Sequence, residues 1–230
     1  MRRVLTSLAV IAACLAAPVF SSAQGILWDQ QPDTSLTTVI DLDIPAPSDG
    51  FSTYLVNDAT FASSVIIDSV IVYYSNNSGT WANLITDGVL NIFDGDGLVA
   101  GDDPTSGGDL GPGSVDVSVT DLGGGVLAVS ADDLGINLSA GTYFFGLTAS
   151  LPLSTDPQEF RFDSGSTIGS STFGRNPSGA FGLGTDWFTA DTLAPGFGDS
   201  AFTITSTLPE PSTAGFLAMG LVGLVARRRH

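Results

Sequence analysis

Short apolar segments separated by turn-forming residues run through most of this 230-residue chain. In many segments apolar and polar residues alternate, as in a strand with one buried face, and the apolar spacing of an amphipathic helix is missing. The connections are rich in Gly, Asp, Asn and Ser, which favour turns. The pattern predicts nine strands, at residues 37–44, 51–56, 66–75, 89–93, 115–120, 126–130, 142–149, 158–162 and 201–206.

This strand pattern predicts an all-β fold, an antiparallel β-sandwich that occupies residues 24–207. Close to ten strands with long irregular connections favour a jelly-roll-like arrangement over an immunoglobulin-like one. Residues 164–198 have no regular apolar period, so we expect them to form loops on one face.

The charge of the chain excludes one class of partner. Acidic residues number 24 against 7 basic ones, giving a formal charge of −17. All seven basic residues are arginines, and only Arg161 and Arg175 lie within residues 24–207. A polyanion repels phosphate backbones and lacks the cations that release their counterions. We therefore expect no binding to nucleic acid.

The first 23 residues have the features of an export signal. Met1, Arg2 and Arg3 form a basic start, residues 4–17 are apolar, and residues 21–23 are small. This order predicts a signal peptide over residues 1–23 and a mature chain that begins at Gln24. An alternative stays open, because residues 11–14 also fit a lipoprotein signal with lipid attached to Cys14.

The last 23 residues, 208–230, combine a Pro-Glu-Pro motif, an apolar run at 214–226 and a cluster of arginines. A helix over the apolar run would span about 20 Å, less than the ~30 Å hydrocarbon core of a bilayer. The arginines would hold the C-terminal end in the cytoplasm. We expect a short, temporary transmembrane helix; the alternative is a buried C-terminal helix of the domain. The motif is Pro209, Glu210 and Pro211, and the cluster is Arg227, Arg228 and Arg229.

In motif, order and position this tail resembles the PEP-CTERM sorting signal of bacteria that make exopolysaccharide. The resemblance implies that Pro209, Glu210 and Pro211 are recognised by an exosortase, a membrane cysteine protease-transpeptidase. The chain would then be anchored in the inner membrane before processing and lie in the cell envelope or outside the cell afterwards. Exopolysaccharide is a candidate partner. Residues 57–61, 67–74 and 138–145 also resemble strands of jelly-roll passengers in other PEP-CTERM proteins.

Catalytic residue types are scarce. The only histidine is His230 and the only cysteine is Cys14, both outside the predicted sandwich. A nucleophile paired with a histidine, or a zinc site of His and Cys ligands, therefore cannot be built there. We expect a protein that is not an enzyme. The alternative is an enzyme, a glycosidase that acts through a pair of carboxylates. Those carboxylates would be aspartates, because Glu159 is the only glutamate in residues 24–207, which we call the passenger.

The densest acidic segment is the one candidate for a metal site. Asp94, Asp96, Asp102 and Asp103 would offer hard oxygen ligands on a Gly-rich loop, which suits Ca²⁺. Their spacing differs from that of an EF-hand. The competing interpretation is a solvated connection between strands in which the Asp-Gly pairs form turns.

Aromatic residues in predicted loops are the candidates for sugar contacts. Trp81, Trp187 and Phe188 could stack on a pyranose ring, or they could close the end of the sandwich.

The leading hypothesis is an exported, acidic, non-enzymatic surface or matrix protein. A carbohydrate-binding module is the alternative.

Overall fold

The residues that the computed structural model describes lie between Gln24 and Thr207. The predicted signal peptide and C-terminal transmembrane helix lie outside the described residues. Among the described residues, no helix has the length and apolarity needed to cross a membrane. The described residues are 24–36, 38–44, 49–75, 83–95, 98–99, 101–151 and 160–207.

Within these residues the fold is all-β, with fourteen strands and two short 3-10 turns, at Asp49–Phe51 and Ala190–Thr192. The predicted fold class is confirmed at this level. The strands are β1 (Gln24–Gln30), β2 (Thr38–Ile40), β3 (Tyr54–Phe61), β4 (Val65–Ser75), β5 (Asp87–Asp94), β6 (Gly113–Asp116), β7 (Ser118–Gly123), β8 (Val126–Ala131), β9 (Ile136–Leu138), β10 (Gly141–Ala149), β11 (Phe160–Phe162), β12 (Phe173–Arg175), β13 (Phe188–Thr189) and β14 (Phe202–Thr207).

The strands form two antiparallel sheets that pack face to face. The larger sheet has the order β1-β14-β4-β11-β2, with β8 and β9 also paired to β4 and with β7 paired to β8. The smaller sheet has the order β13-β12-β3-β10-β5-β6. The main core lies between them, because inward residues of both sheets belong to one buried cluster. They include Val70, Val72, Phe202 and Ile204 from the larger sheet, and Leu90, Ile92, Phe145 and Leu147 from the smaller one.

The outer face of the smaller sheet is also covered. Val56, Phe93 and Phe144 form a second buried cluster on this face, against which Phe173 and Trp187 pack. Burial on both faces explains why β5 reads as an almost continuous apolar run rather than as a strict alternation.

Every predicted strand segment contains or overlaps an observed strand. The segment 115–120 holds two, β6 and β7, because the chain changes sheets between them. The expectation that residues 164–198 form only loops is wrong. They contribute β12 and β13, which extend the smaller sheet beyond β3. Strands of two or three residues are too short for a sequence period, so long-range pairing decides them.

The chain enters and leaves the sandwich at one end, because Gln24 at the start of β1 pairs with Thr207 at the end of β14. We call this the proximal end. The turn between β3 and β4 lies there, and so does the start of β10. Asp94 at the end of β5 pairs with Tyr143 of β10, which brings the predicted metal segment to the same end.

Candidate functional site

The acidic segment after β5 is built from turns that its own carboxylates close. The Asp102 carboxylate accepts the Val99 N–H at 2.8 Å. The Asp103 carboxylate accepts the backbone N–H of Thr105 at 2.9 Å and its hydroxyl at 2.7 Å. Such side-chain bonds to nearby backbone groups are typical of Asp in turns.

Not all of the predicted calcium ligands lie within the described residues. Asp94 ends β5 and is exposed, whereas Asp96 lies outside the described residues. Nowhere in the described ranges do three or more His, Cys, Asp or Glu side chains form a group that could hold a metal ion. Calcium binding by Asp94, Asp96, Asp102 and Asp103 therefore stays a prediction from the sequence.

The segment after these turns packs back along β5. Ile92 donates its N–H to the Gly107 carbonyl at 3.0 Å, and the Leu110 N–H donates to the Ile92 carbonyl at 2.9 Å. Gly108 has a φ of +70°, and a Cβ there would lie 2.7 Å from the Phe93 ring. Glycine is required at this position both for its backbone conformation and for its small size.

A depression of about 350 Å³ opens at the proximal end, between the end of β5 and the start of β10. Asp94 and Gly95 form one side, and Gly141, Thr142 and Tyr143 form the other. None of these five residues is basic. This depression is the candidate binding site of the described chain.

Hydrogen bonds fix the walls of the depression. The Thr142 hydroxyl lies 2.8 Å from the Thr60 hydroxyl on neighbouring β3. The Tyr143 hydroxyl donates to the Ser139 carbonyl at 3.2 Å. The Tyr143 ring packs against Phe61, with ring centroids 6.3 Å apart. The walls are therefore held by β-sheet pairing and by packing to the core.

The predicted sugar-stacking residues lie elsewhere. Trp187 covers the outer face of the smaller sheet, in edge contact with Phe93 at a centroid distance of 5.4 Å. The Arg175 guanidinium carbon lies over the Trp187 ring, 5.8 Å from its centroid. Phe188 was expected in a loop but begins β13, where it packs on Gly174. Trp81 lies outside the described residues.

A buried ion pair joins the two sheets where β3 and β10 separate. Arg161 and Asp41 are 1% and 0% exposed, and their side chains meet at 2.8 Å. Asp41 also accepts hydrogen bonds from the Tyr74 hydroxyl at 2.9 Å and the Thr148 hydroxyl at 2.8 Å. Desolvation raises the pKa of Asp41, and the charge of Arg161 opposes that rise. Because both side chains are fully buried, the pair has a structural role. The sequence did not indicate this pairing, because the two residues are far apart along the chain.

Asp199 is a second buried acid that sequence reasoning missed. Its carboxylate accepts the Gln30 side-chain amide at 2.6 Å and the Ile168 N–H at 3.0 Å. The Asn57 amide and the Thr172 hydroxyl also donate to it. Desolvation raises its pKa from 3.8 to about 6. Asp199 therefore ties β1, β3 and the segment after β11 together at the end opposite the proximal end.

Comparison with known proteins adds no relative. No protein-family model, no curated protein and no solved structure matches the chain. A function is therefore inferred from the residues of this chain alone.

Proposed function

We propose that this chain is an exported, non-enzymatic protein of a bacterial cell envelope or extracellular matrix, processed at its tail by an exosortase. The observation that carries the proposal is the order of Pro209-Glu210-Pro211, an apolar run at 214–226 and an arginine cluster. Motif, anchor and stop signal follow one another in the order that such processing needs.

Each part of the tail has a separate task. Pro209 and Pro211 fix their own φ angles and disfavour helix in the residues before them, so we expect an extended motif that a protease can reach. Glu210 then presents its charge outside the membrane. The apolar run is too short for a permanent span, and the arginines that follow resist being pulled across the bilayer. The contact with the membrane is transient.

The sandwich supports a tail that can be removed. β14 ends at Thr207, two residues before Pro209, and its inward side chains Phe202 and Ile204 are already in the core. Because Thr207 pairs with Gln24, the segments before Gln24 and after Thr207 both continue from the proximal end. Cleavage at the motif would remove no strand of the sandwich.

The passenger suits a structural or binding role better than catalysis. Asp41 and Asp199 are fully buried and hydrogen-bonded within the protein, so neither can act on a substrate. We also propose a jelly-roll arrangement of the sandwich. In its support, the chain changes sheets between β3 and β4, between β6 and β7, and between β9 and β10.

Sorting variants test this proposal in a bacterium with an exosortase gene and in a strain lacking it. Glu210→Ala, or deletion of Arg227, Arg228 and Arg229, is expected to change the cell fraction that holds the protein. Asp186→Ala, an exposed acid of the sandwich, is the control and should behave as wild type. If wild type and every variant occupy the same cell fractions in both strains, exosortase processing is ruled out.

The tail should also be dispensable for folding. A chain that ends at Thr207 is expected to keep the melting temperature of the full chain, since the described strands already form a core between the two sheets. A clear drop in that temperature would instead make the tail a core helix.

A further inference from the structure

Three buried side chains of the sandwich combine a hydroxyl, an amide and a carboxylate in hydrogen-bond contact. The Thr172 hydroxyl donates to the side-chain oxygen of Asn57, and the Asn57 amide donates to the Asp199 carboxylate. We propose that Thr172 attacks the Asn57 amide to form an ester cross-link within the chain, with loss of ammonia and with Asp199 carrying the proton. This inference goes beyond the proposed sorting and does not depend on the tail.

The register of two neighbouring strands places the hydroxyl beside the amide. β12 pairs with β3 so that Phe173 lies opposite Val56. One step further along the same antiparallel register, Thr172 lies opposite Asn57, and both side chains point to the same face of the sheet. The hydroxyl and the carbonyl that it would attack are thus held together by strand pairing, which lowers the entropic cost of the reaction.

One oxygen of Asp199 is placed to move the proton. Asp199 Oδ1 lies 3.3 Å from the Thr172 hydroxyl oxygen, and the same Oδ1 accepts the hydrogen bond from Asn57 Nδ2. It therefore contacts both the group that must lose a proton and the nitrogen that must gain one. Desolvation raises the pKa of Asp199 to about 6, so its charged and neutral forms are both accessible near neutral pH.

The reaction balances without an oxidant or a further reactant. Thr172 Oγ1 forms a bond to the Asn57 side-chain carbon, and its proton passes to Asp199. The Ser200 hydroxyl, 3.1 Å from Asn57 Oδ1, donates to the oxyanion that forms there. The carbon–nitrogen bond then breaks, its electron pair leaves with Nδ2, and Asp199 gives the proton to that nitrogen. Ammonia departs and the ester remains.

The composition of the sandwich favours a cross-link of this kind. Exported proteins usually gain covalent links from disulfides, but residues 24–207 contain no cysteine, and they contain no lysine that could form an amide link. The ester would join two residues that are 115 positions apart. Asn57, Thr172, Asp199 and Ser200 are each at most 1% exposed, so water that could hydrolyse the ester is excluded.

The intact mass of the full-length chain in mild detergent tests the cross-link. Cell-free synthesis keeps the signal peptide in place, so that no ammonia can be lost from an N-terminal Gln24. Wild type should be lighter than its composition requires by about 17 Da, one ammonia. Tandem mass spectrometry of its peptides should find Asn57 joined to Thr172.

Matched variants separate the roles of the three groups. Thr172→Val keeps the shape of the side chain and should abolish the link, whereas Thr172→Ser keeps a hydroxyl and should form it. Asp199→Asn cannot carry the proton and should lower the linked fraction at least about tenfold. Thr205→Val removes another buried hydroxyl, which lies 2.7 Å from that of Ser69, and should link as wild type does.

Three results would overturn the proposal. The first is a wild-type chain with its full mass and no linked peptide. The second is ammonia loss that persists in Thr172→Val, which would show an imide formed at Asn57 alone. The third is a link from Ser200 in place of Thr172. The wild-type mass and peptides decide the outcome if a variant does not fold. None of these outcomes bears on exosortase processing.

Discussion

Single buried residues in this protein form hydrogen bonds that connect elements far apart in sequence. Asp41 receives hydrogen bonds from Arg161 and Tyr74 of the larger sheet and from Thr148 and the Leu55 N–H of the smaller one. The Leu55 N–H and the Leu147 carbonyl lie where β3 and β10 no longer pair, and Arg161 donates to that carbonyl at 3.0 Å. The ion pair thus satisfies backbone groups that the sheet leaves open.

Removing the cation should be costly. Arg161→Met is expected to lower the free energy of unfolding by about 3–5 kcal/mol, because it leaves the Asp41 carboxylate buried without its partner. Urea unfolding measures the loss. Arg175→Met, at the other arginine of the sandwich, removes a contact over the Trp187 ring and should cost about 1 kcal/mol. Equal costs for the two variants would contradict the role given to Arg161.

The raised pKa of Asp199 makes stability depend on pH. Because this pKa is about 6 in the folded protein and 3.8 ordinarily, the folded state binds the proton more tightly. The stability from that proton is fully present below about pH 4 and is lost as the pH rises through 6. Unfolding of wild type and Asp199→Asn should therefore show a larger advantage for wild type at pH 4 than at pH 7. A difference that is the same at both pH values would show that Asp199 does not titrate in this window.

At the scale of elements, the sequence is most informative where strands are long. β4 and β10 have nine or more residues with clear patterning, and both were predicted. β1 was missed because its alternation is interrupted by a bulge between Ile26 and Trp28. For the candidate site, Asp94 drew notice as an acid in a Gly-rich loop. Thr142 and Tyr143 did not, because only the pairing of β10 with β5 brings them beside it.

The junction between β5 and β10 offers a matched pair of glycine variants. Gly95→Ala should lower the free energy of unfolding by about 1–3 kcal/mol, because its Cβ would strike the backbone of Thr142. A Cβ at Gly101 would have no atom of the described residues within 4 Å, so Gly101→Ala should change stability by less than about 1 kcal/mol. Thermal unfolding of the two variants provides the comparison. A Gly95→Ala protein as stable as wild type would show that this close approach is not needed.

At the scale of the whole molecule, the sandwich and its flanking segments have different physical demands. The sandwich has its own core between two sheets, whereas the apolar and arginine-rich segments that flank it match the requirements of a membrane. Both flanking segments continue from the proximal end of the sandwich, at Gln24 and Thr207. The proposed export and sorting would therefore act on the ends while the sandwich stays folded.

The intact mass of the protein recovered outside the inner membrane, from a bacterium with an exosortase, tests the proposed processing most directly. We predict a chain that begins at Gln24 and has lost residues 214–230. A recovered chain that retains residues 214–230, or one that begins at a lipid-bearing Cys14, would contradict it.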